Sequence, residues 1–356
     1  MVSRSGYIIR RVKVGVLTAG GDCPGLNAVI RAVTRRCLNG GHEVIGLRRG
    51  YLGLADRLYI PLDMRAVSGI LPLGGTILST SSFDPFREPK GVERVEATVA
   101  EDGFDAVVAS GGEHTMSITR RLWDEHQVPV VGVPKTIDND VPRTDYTFGF
   151  DTAVQIASDA IDRLHTTAQS HDRVMVIEVM GRNTGWIAVF SGIAGGADAI
   201  LIPELELTVE EICDAINTRH ERGKDFSIVV VAEGAALAFA SGEKRQVRAS
   251  NETDHYGYPR LGGIGQALAK EIEGRTGFET RVTTLGHIQR GGTPTATDRV
   301  LATRYGVKAA ELIEEGRFGE MTALHGQEMS SVPLHEVTGL KRVDLGYMRL
   351  AATFFG

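Results

Sequence analysis

The chain has 356 residues, 42% of them apolar and 24% charged, and a formal net charge of -6. This is ordinary globular composition, and the acidic balance argues against a general nucleic-acid or membrane-surface binder, which carries a basic excess. The length favours two domains over a single core.

The opening run MVSRSGYIIRRVKVGVL lacks the continuous apolar block of a signal peptide. Beyond it, short β-branched runs alternate with amphipathic segments, the pattern of an α/β fold with a mostly parallel sheet. Predicted strands are VKVGVLT (12–18), EVIGLR (43–48), AVVASG (106–111) and VPVVGV (128–133). RVMVIEV (173–179), AILIPE (199–204), SIVVVAE (227–233) and RVTTLG (281–286) follow. In DTAVQIASDAIDRL (151–164), Val154, Ala157, Ile161 and Leu164 share one helical face. TVEEICDAINTRHERG (208–223) opens with Thr208 and Glu211 in capping-box register and closes on Gly223. The polar, aperiodic stretch 234–260 reads as a surface excursion. Cys23, Cys37 and Cys213 lie far apart with no CxxC pair, which suggests a reducing compartment. No apolar run approaches the roughly 20 residues needed to span a bilayer. The chain reads as cytoplasmic.

Three strand ends carry candidate chemistry, and ligands of open parallel sheets sit beyond such ends. GVLTAGGDCPGLNAVIRAV (15–33) turns at Gly20 and Gly21 before a helix predicted to begin near Pro24. Paired glycines let phosphate oxygens approach backbone N–H groups at a helix N-terminus. Gly111 and Gly112 repeat the device, with Thr115 placed to cap a helix or bind a phosphate. After VPVVGV the loop VPKTIDNDVPRTD crowds Lys135, Asp138, Asp140 and Asp145 together. A lysine and carboxylates beside phosphate-binding turns suit phosphoryl transfer, where charge must be neutralised and the attacking hydroxyl deprotonated. If the loop is extended, Asp138 and Asp140 point the same way, one as general base and the other orienting metal or lysine. Arg173, Arg182, Arg281, His287 and Arg290 sit at further predicted strand ends, and arginine's planar fork suits phosphate. A dinucleotide oxidoreductase fits the alternation but lacks the G-x-G-x-x-G fingerprint.

The strings LTAGGDCPGLNAVIR, GYLGL, GGTIL, PKTIDND, TDYTFGFDTA, EVMGRNTGW, AEGA and LGHIQRGGTP are long and specific. On them the chain resembles the phosphofructokinase family from about residue 12 to the C-terminus. RLGGIGQALAKEIE and the ending FFG are similar to the actinobacterial-type group, which has ATP- and pyrophosphate-using members. The resemblance implies two Rossmann-like three-layer domains with mostly parallel sheets. Residues 1–149 with 288–339 would bind the phosphoryl donor, and 150–287 with 340–356 the sugar phosphate. It implies Asp138 as the base for the sugar 1-hydroxyl, with Lys135, Thr136 and Asp140 beside it. Met180, Gly181, Arg182 and Glu233 match the groups holding the fructose ring. Arg173, Arg281, His287 and Arg290 match the 6-phosphate pocket, with Arg173 and Arg281 reaching in from a neighbouring subunit of a homo-oligomer, dimer or tetramer. Gly20, Gly21, Gly112, His114 and Thr115 match the donor cradle, and Glu113 the Mg2+-associated carboxylate.

Three positions depart from the family's usual pattern. ATP users typically carry glycine where this chain has His114, and pyrophosphate users carry aspartate. Lys135 favours pyrophosphate. Ser82, in GGTILSTSSFDPFR, stands where the family commonly has an arginine bridging donor and sugar, and Arg87 lies five residues later. The expected activity is transfer from pyrophosphate, with ATP as the alternative donor, to fructose 6-phosphate or a related ketose phosphate. The competing reading is a sugar-phosphate-binding regulator. No nucleic acid or membrane partner is expected.

Overall fold

The computed structural model describes residues 11–253 and 259–355. The chain divides into two compact units, Met1–Asp151 with Arg290–Leu340 and Thr152–Gln289 with Lys341–Gly356. The N-terminal ten residues, and residues 254–258 of the expected excursion, lie outside the described residues.

The first unit is built on seven strands in the order Glu328–Pro333, Glu320–His325, Val130–Pro134, Ala106–Gly111, Lys13–Thr18, Glu43–Leu47, Tyr59–Pro61. The inner strands run parallel, and each rim strand is antiparallel to its neighbour. Ala106–Gly111 and Val130–Pro134 are buried along their whole length, as parallel strands covered on both faces must be. Helix Ala296–Glu314 lies against helix Leu26–Asn39. Gly306 permits the approach, because a side chain there would start 2.7 Å from the Ala32 methyl. Arg36 then forks onto Glu314 at 2.7 and 2.6 Å.

From Lys13–Thr18 the chain passes to Glu43–Leu47 on one side, and from Ala106–Gly111 to Val130–Pro134 on the other. The order therefore reverses between these two central strands, and a ligand crevice opens at such a switch point. Both glycine turns leave from it.

The second unit has four parallel strands in the order Thr280–Thr284, Val174–Val179, Ser227–Ala232, Ala199–Leu201. Buried Glu178 accepts hydrogen bonds from the N–H groups of Gly263 (3.2 Å) and Gly265 (2.8 Å). It thereby serves the unpaired amides at the start of helix Ile264–Thr276. Helix Val209–Glu221 carries the expected capping box. Thr208 Oγ1 accepts from the Glu211 N–H at 3.2 Å, and the Glu211 carboxylate accepts from the Thr208 N–H at 2.7 Å.

The α/β class and the mostly parallel sheets are as expected, with differences of detail. The first helix starts at Leu26 rather than near Pro24, because Gly25 adopts φ 106°, outside the helical region. The strand expected over 199–204 ends at Leu201, where Ile202 turns to bridge Leu205. The excursion is partly structured. Ala236–Ala238 pairs with Lys244–Gln246, Arg248–Thr253 pairs with Pro259–Leu261, and Leu237 is fully buried. Strand Glu320–His325 escaped prediction because EMTALH is rich in helix formers, and pairing with Val130–Pro134 overrides that preference. Replacing Thr208 by Ala should lower stability by about 1 kcal/mol, read as a lower urea midpoint with an unchanged slope.

Candidate active site

Three loops leave the carboxyl ends of Lys13–Thr18, Ala106–Gly111 and Val130–Pro134, which are neighbours in the first unit's sheet. In the first loop Gly20 has φ 77°. Its N–H donates to Ser81 O at 3.2 Å, and its carbonyl accepts from Thr80 Oγ1 at 2.6 Å. This corrects the expectation that the Gly20 amide faces phosphate: the amide fastens the 80–81 segment instead. Gly21 beside it is exposed, and a side chain there would start 2.8 Å from Arg290 Nη1.

In the second loop Gly112 precedes helix Glu113–His126. Thr115 does not cap it. It is buried inside the first turn, and its side chain fills the space that any Gly111 side chain would need, 2.3 Å away. Lys135 begins the third loop and ties all three together. Its N–H donates to Gly111 O at 2.8 Å, and its ammonium donates to Gly21 O. Only 4% of the residue is exposed. Burial pulls the ammonium pKa down and nearby Arg290 adds to that, while Cys23, Asp22 and Asp140 act the other way.

The loop is not extended. Residues 137–138 form a turn and Asn139 takes φ 49°, so alternation along a strand does not orient Asp138 and Asp140 as the sequence suggested. Asn139 accounts for the turn. Asparagine tolerates left-handed backbone, and its buried side chain accepts from the Thr147 N–H at 3.0 Å. Thr136 Oγ1 accepts from the Asp138 N–H at 3.0 Å and fixes that carboxylate's backbone. Asp140 is close enough to Glu113 and Lys135 to act on both. Burial raises the Glu113 pKa, His114 opposes the rise and Asp140 adds to it.

His114 and Arg87 meet a residue that the sequence reading passed over. Asp84 Oδ2 lies 3.3 Å from His114 Nε2 and 3.4 Å from Arg87 Nε. Its Oδ1 accepts from the Phe86 N–H at 2.9 Å. The Asp-Pro pair at 84–85 was the available signal, since such dipeptides start turns through their own side-chain oxygen.

In the second unit, Met180, Gly181 and Arg182 follow Val174–Val179, and Glu233 follows the adjacent Ser227–Ala232. The Glu233 N–H donates to Val179 O at 2.9 Å and the Gly234 N–H to Gly181 O at 3.0 Å, which holds the two ends together. Gly181 has φ 139°, and a side chain on Gly234 would run into the Arg182 carbonyl. His287 follows Thr280–Thr284 at the same edge and is exposed. Arg173 and Arg281 lie at the opposite edge, where the strands begin. Both pair with Glu279, Arg173 at 2.8 Å. Across the six residues of Val174–Val179 the two edges are roughly 20 Å apart. Within one chain these two arginines therefore do not join His287. Arg290 belongs to the first unit, against Gly21.

The family model described as phosphofructokinase matches residues 13–313. The chain belongs to the phosphofructokinase family. It is 52% identical, over 97% of its length and 100% of the relative's, to a pyrophosphate–fructose 6-phosphate 1-phosphotransferase of Streptomyces coelicolor. It is 51% identical, over 93% of its length and 96% of the relative's, to ATP-dependent 6-phosphofructokinase 3 of the same organism. The solved phosphofructokinase of Saccharomyces cerevisiae superposes with a TM-score of 0.77 at 31% identity. That match covers 92% of this chain and 45% of the longer yeast chain.

Among phosphofructokinases of both donor types, overall identity does not separate pyrophosphate from ATP use, so the separation must lie in local chemistry. Two substitutions probe the first unit. Gly111→Ala drives a methyl into Thr115, should cost about 1–3 kcal/mol, and should lower kcat/KM for every donor tested. Lys135→Met should lower kcat about 100-fold or more while leaving the Tm equal or higher. Because burial depresses the lysine pKa below its ordinary value of 10.5, the unfolded chain holds more protons in the window between the two values. Wild-type stability from this group therefore rises with pH there. The variant's advantage in Tm should therefore shrink as pH climbs towards 10.5.

Proposed function

We propose that this chain transfers a phosphoryl group from pyrophosphate, with Mg2+, to the 1-hydroxyl of fructose 6-phosphate. The products are orthophosphate and fructose 1,6-bisphosphate. The observation that carries the reading is that one buried lysine links three adjacent strand ends at a switch point. The 52% identity to a pyrophosphate-using relative supports it.

The first unit handles the donor and the proton. Asp138 accepts the hydrogen of the sugar O1 as that oxygen bonds to phosphorus. The bond from phosphorus to the bridging oxygen breaks, and orthophosphate leaves with the electron pair. The Lys135 ammonium and nearby Arg290 supply fixed positive charge, Thr136 holds the Asp138 backbone, and Asp140 balances the lysine. Gly21, Gly112 and the first turn of Glu113–His126, including Thr115, present the donor-binding backbone, with His114 and Arg87 at its side. Among the described residues no group of three or more His, Cys, Asp or Glu is arranged to hold a metal by itself. That fits Mg2+, which is commonly held by one or two carboxylates together with substrate phosphates. Glu113, with Asp140 near it, is the residue for that role. When bound, the ion neutralises charge across the donor phosphates.

The second unit holds the sugar through Met180, Gly181, Arg182 and Glu233, with His287 on the 6-phosphate. The position of Arg173 and Arg281 at the opposite sheet edge supports a pocket completed by these arginines of a second copy. On this reading the enzyme is a homo-oligomer, a dimer or tetramer, with shared sites. Arg281 projects from Thr280–Thr284, the rim strand of that sheet, and rim strands call for a covering partner. A cytoplasmic setting suits the free, buried thiols of Cys23, Cys37 and Cys213. Among the described residues no helix is long and apolar enough to cross a membrane.

ATP is the second donor to test, because an ATP-dependent relative is 51% identical. Ser82 removes a cation found in most of the family and leaves a regulator as the non-enzymatic reading. A matrix of pyrophosphate and ATP against fructose 6-phosphate and related ketose phosphates decides among these. Turnover with pyrophosphate and fructose 6-phosphate is expected, and inertness with every pair would reject catalysis. Asp138→Asn should lower kcat by about 10²–10⁴-fold with little change in the sugar KM.

A further inference from the structure

We propose that Asp84 is a positioning residue for donor choice, holding the His114 imidazole and the Arg87 guanidinium together at the head of helix Glu113–His126. The inference rests on the donor-side reading above and names a residue that the reading does not use.

The Asp84 side chain is 10% exposed, so its charge is held largely away from water. Such a carboxylate needs partners on both oxygens. Oδ1 is committed to the Phe86 N–H at 2.9 Å. Oδ2 faces two potential cations, His114 Nε2 at 3.3 Å and Arg87 Nε at 3.4 Å. The turn carrying Asp84 is itself fixed. The Arg121 guanidinium packs 3.7 Å from the Phe86 ring centre and is held by Glu125 at 2.8 and 3.1 Å.

A side chain at 114 with several open rotamers could swing out of the way of a longer donor. One pinned from a rigid turn keeps its place, and preorganisation is what turns bulk into selectivity. The segment from Ser82 to Arg87 thus lacks the family's usual cation but supplies an anion, two residues on, that fixes the imidazole. Arg87 is held in the same pair, which ties its charge to the donor turn.

Asp84→Asn is the direct test. Asparagine keeps an oxygen for the Phe86 N–H, but puts an N–H donor where Oδ2 faced two donors. The readout is kcat/KM with pyrophosphate and with ATP in wild type, Asp84→Asn, His114→Gly and the double variant. Asp84→Asn should raise the ATP-to-pyrophosphate ratio about tenfold, equivalent to about 1.4 kcal/mol, chiefly through the ATP KM. Its Tm should stay within about 3 °C of wild type. In the His114→Gly background the same change should leave the ratio unmoved, because the group it positions is gone. An independent structural effect would instead add to the ratio or lower both donors alike, and that result overturns the proposal. If the amide variant does not fold, Asp84→Ser replaces it, since a serine hydroxyl can serve the turn while leaving no oxygen for His114. The same ratio shift is expected. An enzyme active with pyrophosphate whose ratio responds to His114→Gly but not to Asp84 defeats this inference alone. Wild type inert with both donors defeats the functional reading and this inference together.

Discussion

A buried ammonium governs the first unit. Taking a lysine charge out of water costs several kcal/mol unless nearby groups offset it. At Lys135 the offset comes from the Gly21 carbonyl and from the charges of Asp22 and Asp140, against the opposing pull of Arg290. The main chain of the same residue bonds the Gly111 carbonyl. One residue therefore sets the spacing of two glycine turns, and their shapes follow from it. Gly111 must lack a side chain so that Thr115 can pack, and Asn139 must turn left-handed so that the loop folds back on Thr147. Stability is conceded at this point, and active sites are where such concessions occur.

Much of this was legible in the sequence, for identifiable reasons. Strands buried on both faces, such as AVVASG and SIVVVA, write themselves as unbroken apolar runs. The capping box at Thr208 is a purely local contact and was equally plain. The three strand ends carrying Gly20, Gly111 and Lys135 were found because glycines and clustered acids after a strand have few other uses. What stayed hidden depended on partners far along the chain. Gly20 reads as a phosphate donor until Ser81 arrives to take its N–H. The pairing of Asp138 with Asp140 assumed an extended loop, and Asn139 breaks that assumption with a single torsion. Asp84 is marked only by the Asp-Pro turn it starts, which does not reveal what its buried carboxylate faces.

The charges around Lys135 and those around Glu279 differ in kind. In the first, charges are buried and mutually compensating, and Glu113 and Lys135 both shift in the direction that burial dictates. In the second, Arg173, Arg281 and Glu279 form a partly exposed cluster, where a salt bridge contributes less to stability than a fully buried charge costs. Such arginines can exchange partners at low cost. An anion bearing two charges competes well with a single surface glutamate, whereas the Lys135 network can do nothing of the kind.

The seven-stranded sheet has a consequence for synthesis. Strand Glu320–His325 lies directly beside Val130–Pro134, yet the ribosome makes it only after residues 152–289 have emerged. Until then the nascent sheet ends on Val130–Pro134, one of its most apolar strands, with an open hydrogen-bonding rim. Open apolar rims invite pairing with other chains. The nascent polypeptide must hold that rim unsatisfied for most of its time on the ribosome, so crowded translation of this message is where mispairing between neighbouring copies would begin.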